Sequence, residues 1–165
     1  MKYLRYLRYL LKHKFYVMIE CLKEGMIIEG LMHDLSKFSL LEFKAYANHF
    51  YGKNRDMYTY ISHNGYSKDD DPIKDIDFDI AWVHHIHHNP HHWQYWVVLE
   101  NEKQGVILEM PRKYMVEMIC DWIGAAKAQG DFRRSKLKLW YNINKNKIIL
   151  AQNTRKWIEY RIKSY

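Results

Sequence analysis

Apolar residues recur at steps of three and four along most of this chain, and that spacing constrains its fold more than any other feature. Leu4, Leu7, Leu11, Phe15 and Met18 fall on one face of a helix, while Arg5, Arg8 and Lys12 fall on another. The pattern predicts a first helix over residues 2–24, punctuated by Gly25 and Gly30. No segment alternates convincingly as a strand would, and three prolines and seven glycines are too few for a turn-rich β-sandwich. A length of 165 residues with 48% hydrophobic side chains suits one domain with a real core. The expectation is an all-α, single-domain helical bundle over residues 1–165.

The remaining elements follow from local signals. Residues 26–35 read as a short buried helical segment. Ser39 followed by Glu42 has capping-box spacing, so a helix should run from there to about Phe50. Residues 51–75 turn polar, with Asn64–Gly65 and the acidic run Asp69–Asp71 before Pro72, and read as a long loop or lid. Helical character returns over Ile76–His88. Asn89–Pro90 then marks a break, with a new helix expected from Pro90 to about Leu99. Further helices are expected from Pro111 to about Gln129 and, within a C-terminal helical extension over 131–165, from about Asn144 to Ile162.

Charge and cysteine content narrow the setting. Twenty-six Lys and Arg against nineteen Asp and Glu give a net charge of +7, which suits an anionic partner such as a nucleotide or other anionic substrate, a nucleic acid or an acidic membrane. The basic residues that interrupt the first helix leave no apolar run of the kind a signal peptide needs. No stretch approaches the roughly 18 apolar residues of a membrane span, so no transmembrane segment is expected. Two cysteines, Cys21 and Cys120, cannot build a disulfide framework. The expected location is the cytoplasm, and the sequence leaves the oligomeric state open.

Three groups of residues carry chemistry. The first is His33–Asp34, in the context Leu-Met-His-Asp-Leu-Ser-Lys-Phe. On a helix the two side chains would point about 100° apart, and they can grip a cation beside that turn through a nitrogen and an oxygen. Lys37, three residues beyond Asp34, returns to the same side, where an ammonium suits a substrate phosphate. An isolated His-Asp pair is more often a core histidine followed by a cap. The second group is denser: six of the ten histidines lie between His84 and His92. His84 or His85, with His88, can converge on one ion, and the Pro90 corner can bring back His91 or His92. Some of these six are expected only to decorate a solvated surface. The third group is Glu117 and Asp121, four apart on an otherwise apolar helix, where buried carboxylates need a cation or hydrogen bonds to compensate them.

Taken in order, His13, His33–Asp34, the histidine cluster and Asp121 form the pattern H…HD…H…D, which resembles the HD-domain superfamily of metal-dependent phosphohydrolases. The stretches HDLSKFSLLEF, HHIHHNPHHWQYW and EMICDW look more closely like those of an uncharacterised family of small bacterial and phage proteins. The resemblance implies an HD-like bundle holding one or two divalent ions (Mn, Fe, Zn, Co, Ni or Mg). It implies His13, His33, Asp34, His85, His92 and Asp121 as metal ligands. It gives catalytic roles to Asp34, to Lys37 as the phosphate's counter-charge, and to Glu117 as general base or as a partner orienting a ligand histidine. The expected activity is hydrolysis of a nucleotide or oligonucleotide phosphate ester by a metal-activated water. Two other classes share some of these features. An HD-type di-iron oxygenase would use a similar histidine-rich set. A non-enzymatic protein with a structural metal would use Arg5, Arg8 and Lys12, with Tyr3, Tyr6 and Tyr9, to bind nucleic acid or an acidic surface.

Overall fold

The computed structural model describes residues 1–52, 75–100, 103–130 and 134–164. Most of the polar segment 51–75, including Asn64–Gly65 and the acidic run, lies outside these residues. Among the described residues the chain is predominantly helical: α1 (Lys2–Lys23), α2 (Ile27–Met32), α3 (Leu40–Tyr51), α4 (Ile76–His88), α5 (Arg112–Ala128), α6 (Arg134–Asn144) and α7 (Gln152–Ser164). Short 3₁₀ turns occupy Leu35–Phe38 and Trp93–Trp96. No described helix is long and apolar enough to cross a membrane.

The chain divides into two compact units, Met1–Leu11 with Asp34–His88 and Lys12–His33 with Asn89–Tyr165. In the first unit Tyr6, Leu10, Ala45, Tyr46, Ala47 and Ala81 form the core, with Phe43 and Phe78 packed on it. Ser39 caps α3 as its spacing predicts, its hydroxyl accepting from the Glu42 amide at 3.3 Å. In the second unit α5 supplies Met115, Met118, Ile119 and Ile123 to a core completed by α6 and α7, and Trp93 and Trp96 pack against it. A smaller cluster joins Val17 and Cys21 of α1 to Cys120 of α5. Both cysteines are free thiols.

Gly124 explains how closely those two helices meet. A Cβ there would lie 2.9 Å from the Val17 amide nitrogen, so any side chain would force α1 and α5 apart. His13 sits one turn before Val17, and Asp121 one turn before Gly124. The close approach is what lets these two side chains reach each other.

Three expectations about elements need correction. The helix expected from Pro90 does not form. His92 is extended, Trp93–Trp96 makes a single 3₁₀ turn, and Val97–Glu100 pairs antiparallel with Lys103–Ile107. The β-branched pairs Val97–Ile107 and Val98–Val106 fit that ladder, and the Trp96 indole N–H donates to the Pro90 carbonyl at 2.7 Å, closing the corner. The final helix starts later than expected: residues 145–151 are not helical, and a separate helix, α6, precedes them. Glu109 accepts from the Asn153 and Thr154 amides, starting α7 at Gln152, while the Arg155 guanidinium satisfies the Lys145 and Ile148 carbonyls between α6 and α7. Lastly, helix α2 stops before the His-Asp doublet. His33 leaves the helical conformation with ψ 127°, and Asp34 adopts the left-handed conformation at φ 54°.

Candidate metal centre

The second unit gathers His13, His33 and Asp121. The first comes from α1, the second from the residue that ends α2, and the third from the middle of α5. His13 Nε2 lies 3.1 Å from Asp121 Oδ1, and His33 Nε2 lies 3.4 Å from the same oxygen. The three residues each offer one donor atom within 4.8 Å of the others. Both histidines are buried. Burial by itself would raise the Asp121 carboxyl, but the hydrogen bonds and charge of His13 and His33 hold it well below its usual range.

Glu117, one turn before Asp121, completes the arrangement. Its Oε1 accepts from His33 Nδ1 at 2.9 Å and pairs with His91 Nδ1 at 3.2 Å. The His33 and His91 rings are 4.4 Å apart. Burial pushes the Glu117 carboxyl up, yet bonds from His33 and His91 bring it below its ordinary value, so it is ionised near neutral pH. An ionised carboxylate only accepts, so His33 must donate its Nδ1 proton. Its Nε2 then turns a lone pair toward Asp121 Oδ1, which is also an acceptor. Two acceptors at 3.4 Å are reconciled by a cation, whether a second proton on the ring or a metal ion.

The spacing suits a metal. Bonds of about 2.1 Å at right angles or tetrahedral angles separate neighbouring donors by roughly 3.0–3.4 Å. The donor chemistry, two imidazoles and a carboxylate, is that of a Zn, Mn, Fe, Co or Ni site. Three protein ligands would leave positions open on such an ion.

The first unit contains a second carboxylate–imidazole pair. His85, fully buried on α4, donates through Nδ1 to Glu42 Oε2 at 2.9 Å, and its Nε2 faces Asp34 Oδ1 at 3.4 Å. Burial lowers the His85 imidazole below its usual value, against the pull of Glu42 and Asp34. Glu42, buried on α3, also accepts from His84 Nδ1 at 2.6 Å and from the Ser36 hydroxyl at 3.1 Å. Lys37 holds Asp34 Oδ2 at 2.6 Å, as the three-residue spacing predicts, and its ammonium lies 5.7 Å from the Tyr46 ring centroid. The Tyr6 and Tyr46 hydroxyls are buried and have no hydrogen-bond partner among the described residues. Burial raises both phenols, so both stay protonated.

Of the residues expected from sequence, His13, His33, Glu117 and Asp121 come together in the second unit, and Asp34, Lys37 and His85 in the first. His92 is half-buried beside His91, with ring centroids 4.3 Å apart. Because α4 ends at His88, His85 and His92 share no helix. His84 and His88 stack on each other, and His49 stacks on Phe78 and pairs with Asp75 at 2.9 Å. The sequence alone favours His85 and His92 without settling which histidines of 84–92 are ligands. His92 is among the residues that could hold a metal ion, and His91 is the buried histidine paired with Glu117. Sequence reasoning misses Glu42 as a partner of His85. The sequence offers a sign of it: Glu42 is a lone carboxylate in the otherwise apolar run Leu40–Tyr46, apart from Lys44.

The sequence pattern of a family of unknown function, DUF5662, matches residues 2–164 of the chain. No curated protein and no solved structure matches it.

Proposed function

We propose that this chain, which belongs to the family of unknown function DUF5662, is a metal-dependent phosphohydrolase acting on a nucleotide or oligonucleotide phosphate ester. The observation that carries the reading is the convergence of His13, His33 and Asp121, three buried or nearly buried donors drawn from distant parts of the chain, within 4.8 Å of one another. The resemblance to HD domains also implies Asp34 and His85 as ligands, and within the first unit their facing atoms have the 3.4 Å separation that suits such a role.

His13, His33 and Asp121 would hold a divalent ion, which would supply an acidified water and polarise a phosphoryl oxygen. The protein's own groups do the rest. Glu117 fixes the His33 tautomer so that Nε2 is the ligating atom, an orienting role that fits its two imidazole partners better than proton removal does. Glu42 does the same for His85. Lys37, partly exposed and paired with Asp34, is the counter-charge for the phosphate. The net charge of +7 favours the approach of an anion.

The test is an assay of the purified chain on phosphomonoesters and phosphodiesters with Mn, Co, Zn, Ni or Mg added singly. Metal-stimulated release of phosphate or nucleoside monophosphate, abolished by Asp121→Asn with the helical circular dichroism intact, is the expected result. Tightly bound iron with oxygen consumption and no hydrolysis would replace this reading with the oxygenase. No activity in either assay with any metal would remove the enzyme reading.

A further inference from the structure

Helix α1 presents two different faces. Tyr6, Leu10, His13, Val17 and Cys21 are buried. On the opposite side, Leu4, Leu11, Phe15 and Leu22 lie within about 20° of a common line at ~100° per residue, and all four are exposed, Leu4 at 61% and Phe15 at 59%. Arg8, Lys12 and Arg5 follow along one flank of that stripe, and each is exposed. Helix α2 adds to the apolar surface. Ile27, Ile28, Leu31 and Met32 are exposed, Ile28 at 72%. The α2 backbone is pinned to the other flank of α1: Lys14 Nζ donates to the Leu31 and His33 carbonyls at 2.7 and 2.8 Å, and a Cβ at Gly30 would lie 3.0 Å from that of Cys21. A surface with this many large apolar side chains is a docking surface rather than ordinary exposed area.

The charge pattern identifies the occupant. No acidic residue precedes Glu20, whereas the same stretch carries Lys2, Arg5, Arg8, Lys12 and Lys14. Two of the three carboxylates that follow are already neutralised. Glu20 accepts from Lys23 and Lys127 at 2.7 and 2.6 Å, and Glu24 from Arg161 at 2.6 Å; Glu29, half-buried on α2, is the third. A second copy meeting this face through α1 would set cations opposite cations, with no carboxylate on either N-terminal stretch to answer them. An interfacial helix needs the opposite arrangement, an apolar stripe beside a cationic one, facing anionic headgroups.

We propose that α1 and α2 form a docking surface for an anionic lipid membrane, on which the protein rests without spanning it. The apolar stripe and the α2 side chains enter the headgroup–acyl boundary, and Arg5, Arg8 and Lys12 meet lipid phosphates. This inference does not depend on the metal centre or on its chemistry.

The experiment is co-sedimentation of the full chain with vesicles of phosphatidylcholine alone and of phosphatidylcholine mixed with phosphatidylglycerol. Binding is expected to the mixed vesicles only, and to weaken as salt is raised. Charge reversal by Arg8→Glu with Lys12→Glu should reduce partitioning at least roughly 30-fold. Ile28→Asp, at an exposed position where folding is not at stake, should reduce it about 10-fold or more. Absence of binding to the mixed vesicles overturns the proposal. So does binding that neither variant weakens. A dimer in sedimentation that Ile28→Asp converts to a monomer, with no vesicle binding, also overturns it and assigns the face to a second copy.

Discussion

In the second unit Glu117 accepts from His33 Nδ1 at 2.9 Å, and the other nitrogen of that ring faces Asp121 Oδ1 at 3.4 Å. In the first unit Glu42 accepts from His85 Nδ1 at 2.9 Å, and the other nitrogen faces Asp34 Oδ1 at 3.4 Å. The two devices match in atom type and spacing, yet they differ in what else touches the terminal aspartate. Asp121 is shared with a second imidazole, His13. Asp34 is held by the ammonium of Lys37. A lysine is a fixed cation that already offsets the carboxylate's charge, whereas an imidazole in its unprotonated form can add a donor atom and leave that charge for an ion. Under the proposed function, ion capture falls first to the His13–His33–Asp121 set, while Asp34 is already paired with the Lys37 ammonium.

Removing the two orienting carboxylates is the sharpest way to break this contrast. Glu117→Gln should lower metal affinity by about 10–100-fold, the usual effect of losing a partner that fixes a ligand histidine. Glu42→Gln should lower it less, because the principal donors lie in the other unit. Equal losses, measured by metal titration, would erase the distinction between the two devices.

Glu42 also makes a smaller prediction about pH. Burial would raise its carboxyl, but hydrogen bonds from His85, His84 and Ser36 hold it below the ordinary value. A carboxyl lowered in the folded state contributes stability that is complete above its unfolded pKa and is lost as pH falls through the folded one. The difference in thermal unfolding between the native chain and Glu42→Gln should therefore narrow below the ordinary carboxylate range. A difference that widens there would contradict the assignment. The smallest effect is expected at Tyr46, whose buried hydroxyl has no partner among the described residues. Tyr46→Phe should raise the unfolding free energy by about 1 kcal/mol; a comparable loss would mean that the hydroxyl is satisfied after all.

Much of the fold was readable from local rules. The first helix, the Ser39 cap and the Ile76–His88 helix follow from periodicity and capping, which act within a few residues. The region after Pro90 was not readable in that way. Its aromatic and β-branched residues suit a helix or a strand about equally, and the pairing of Val97 with Ile107 and the Trp96–Pro90 bond decide the matter through tertiary contacts. The site divides along the same line. His33, Asp121 and Glu117 could be named because a doublet and two buried carboxylates are unusual in apolar surroundings. That His91 is the histidine paired with Glu117 depends on the corner geometry, which no helical spacing encodes. Glu42 stood hidden behind its capping-box role, since its backbone amide meets Ser39 while its side chain serves His85 and His84.

Metal content of the native chain, compared with that of His33→Ala, tests the central claim most directly. His33 joins Glu117 to Asp121 through its two nitrogens, so its loss dismantles the donor set without touching α5. Close to one equivalent or more of a divalent transition metal is expected in the native protein after desalting, with most of it lost in the variant and helical content unchanged. A native chain that binds no metal, or a His33→Ala variant that keeps its full complement, would contradict it.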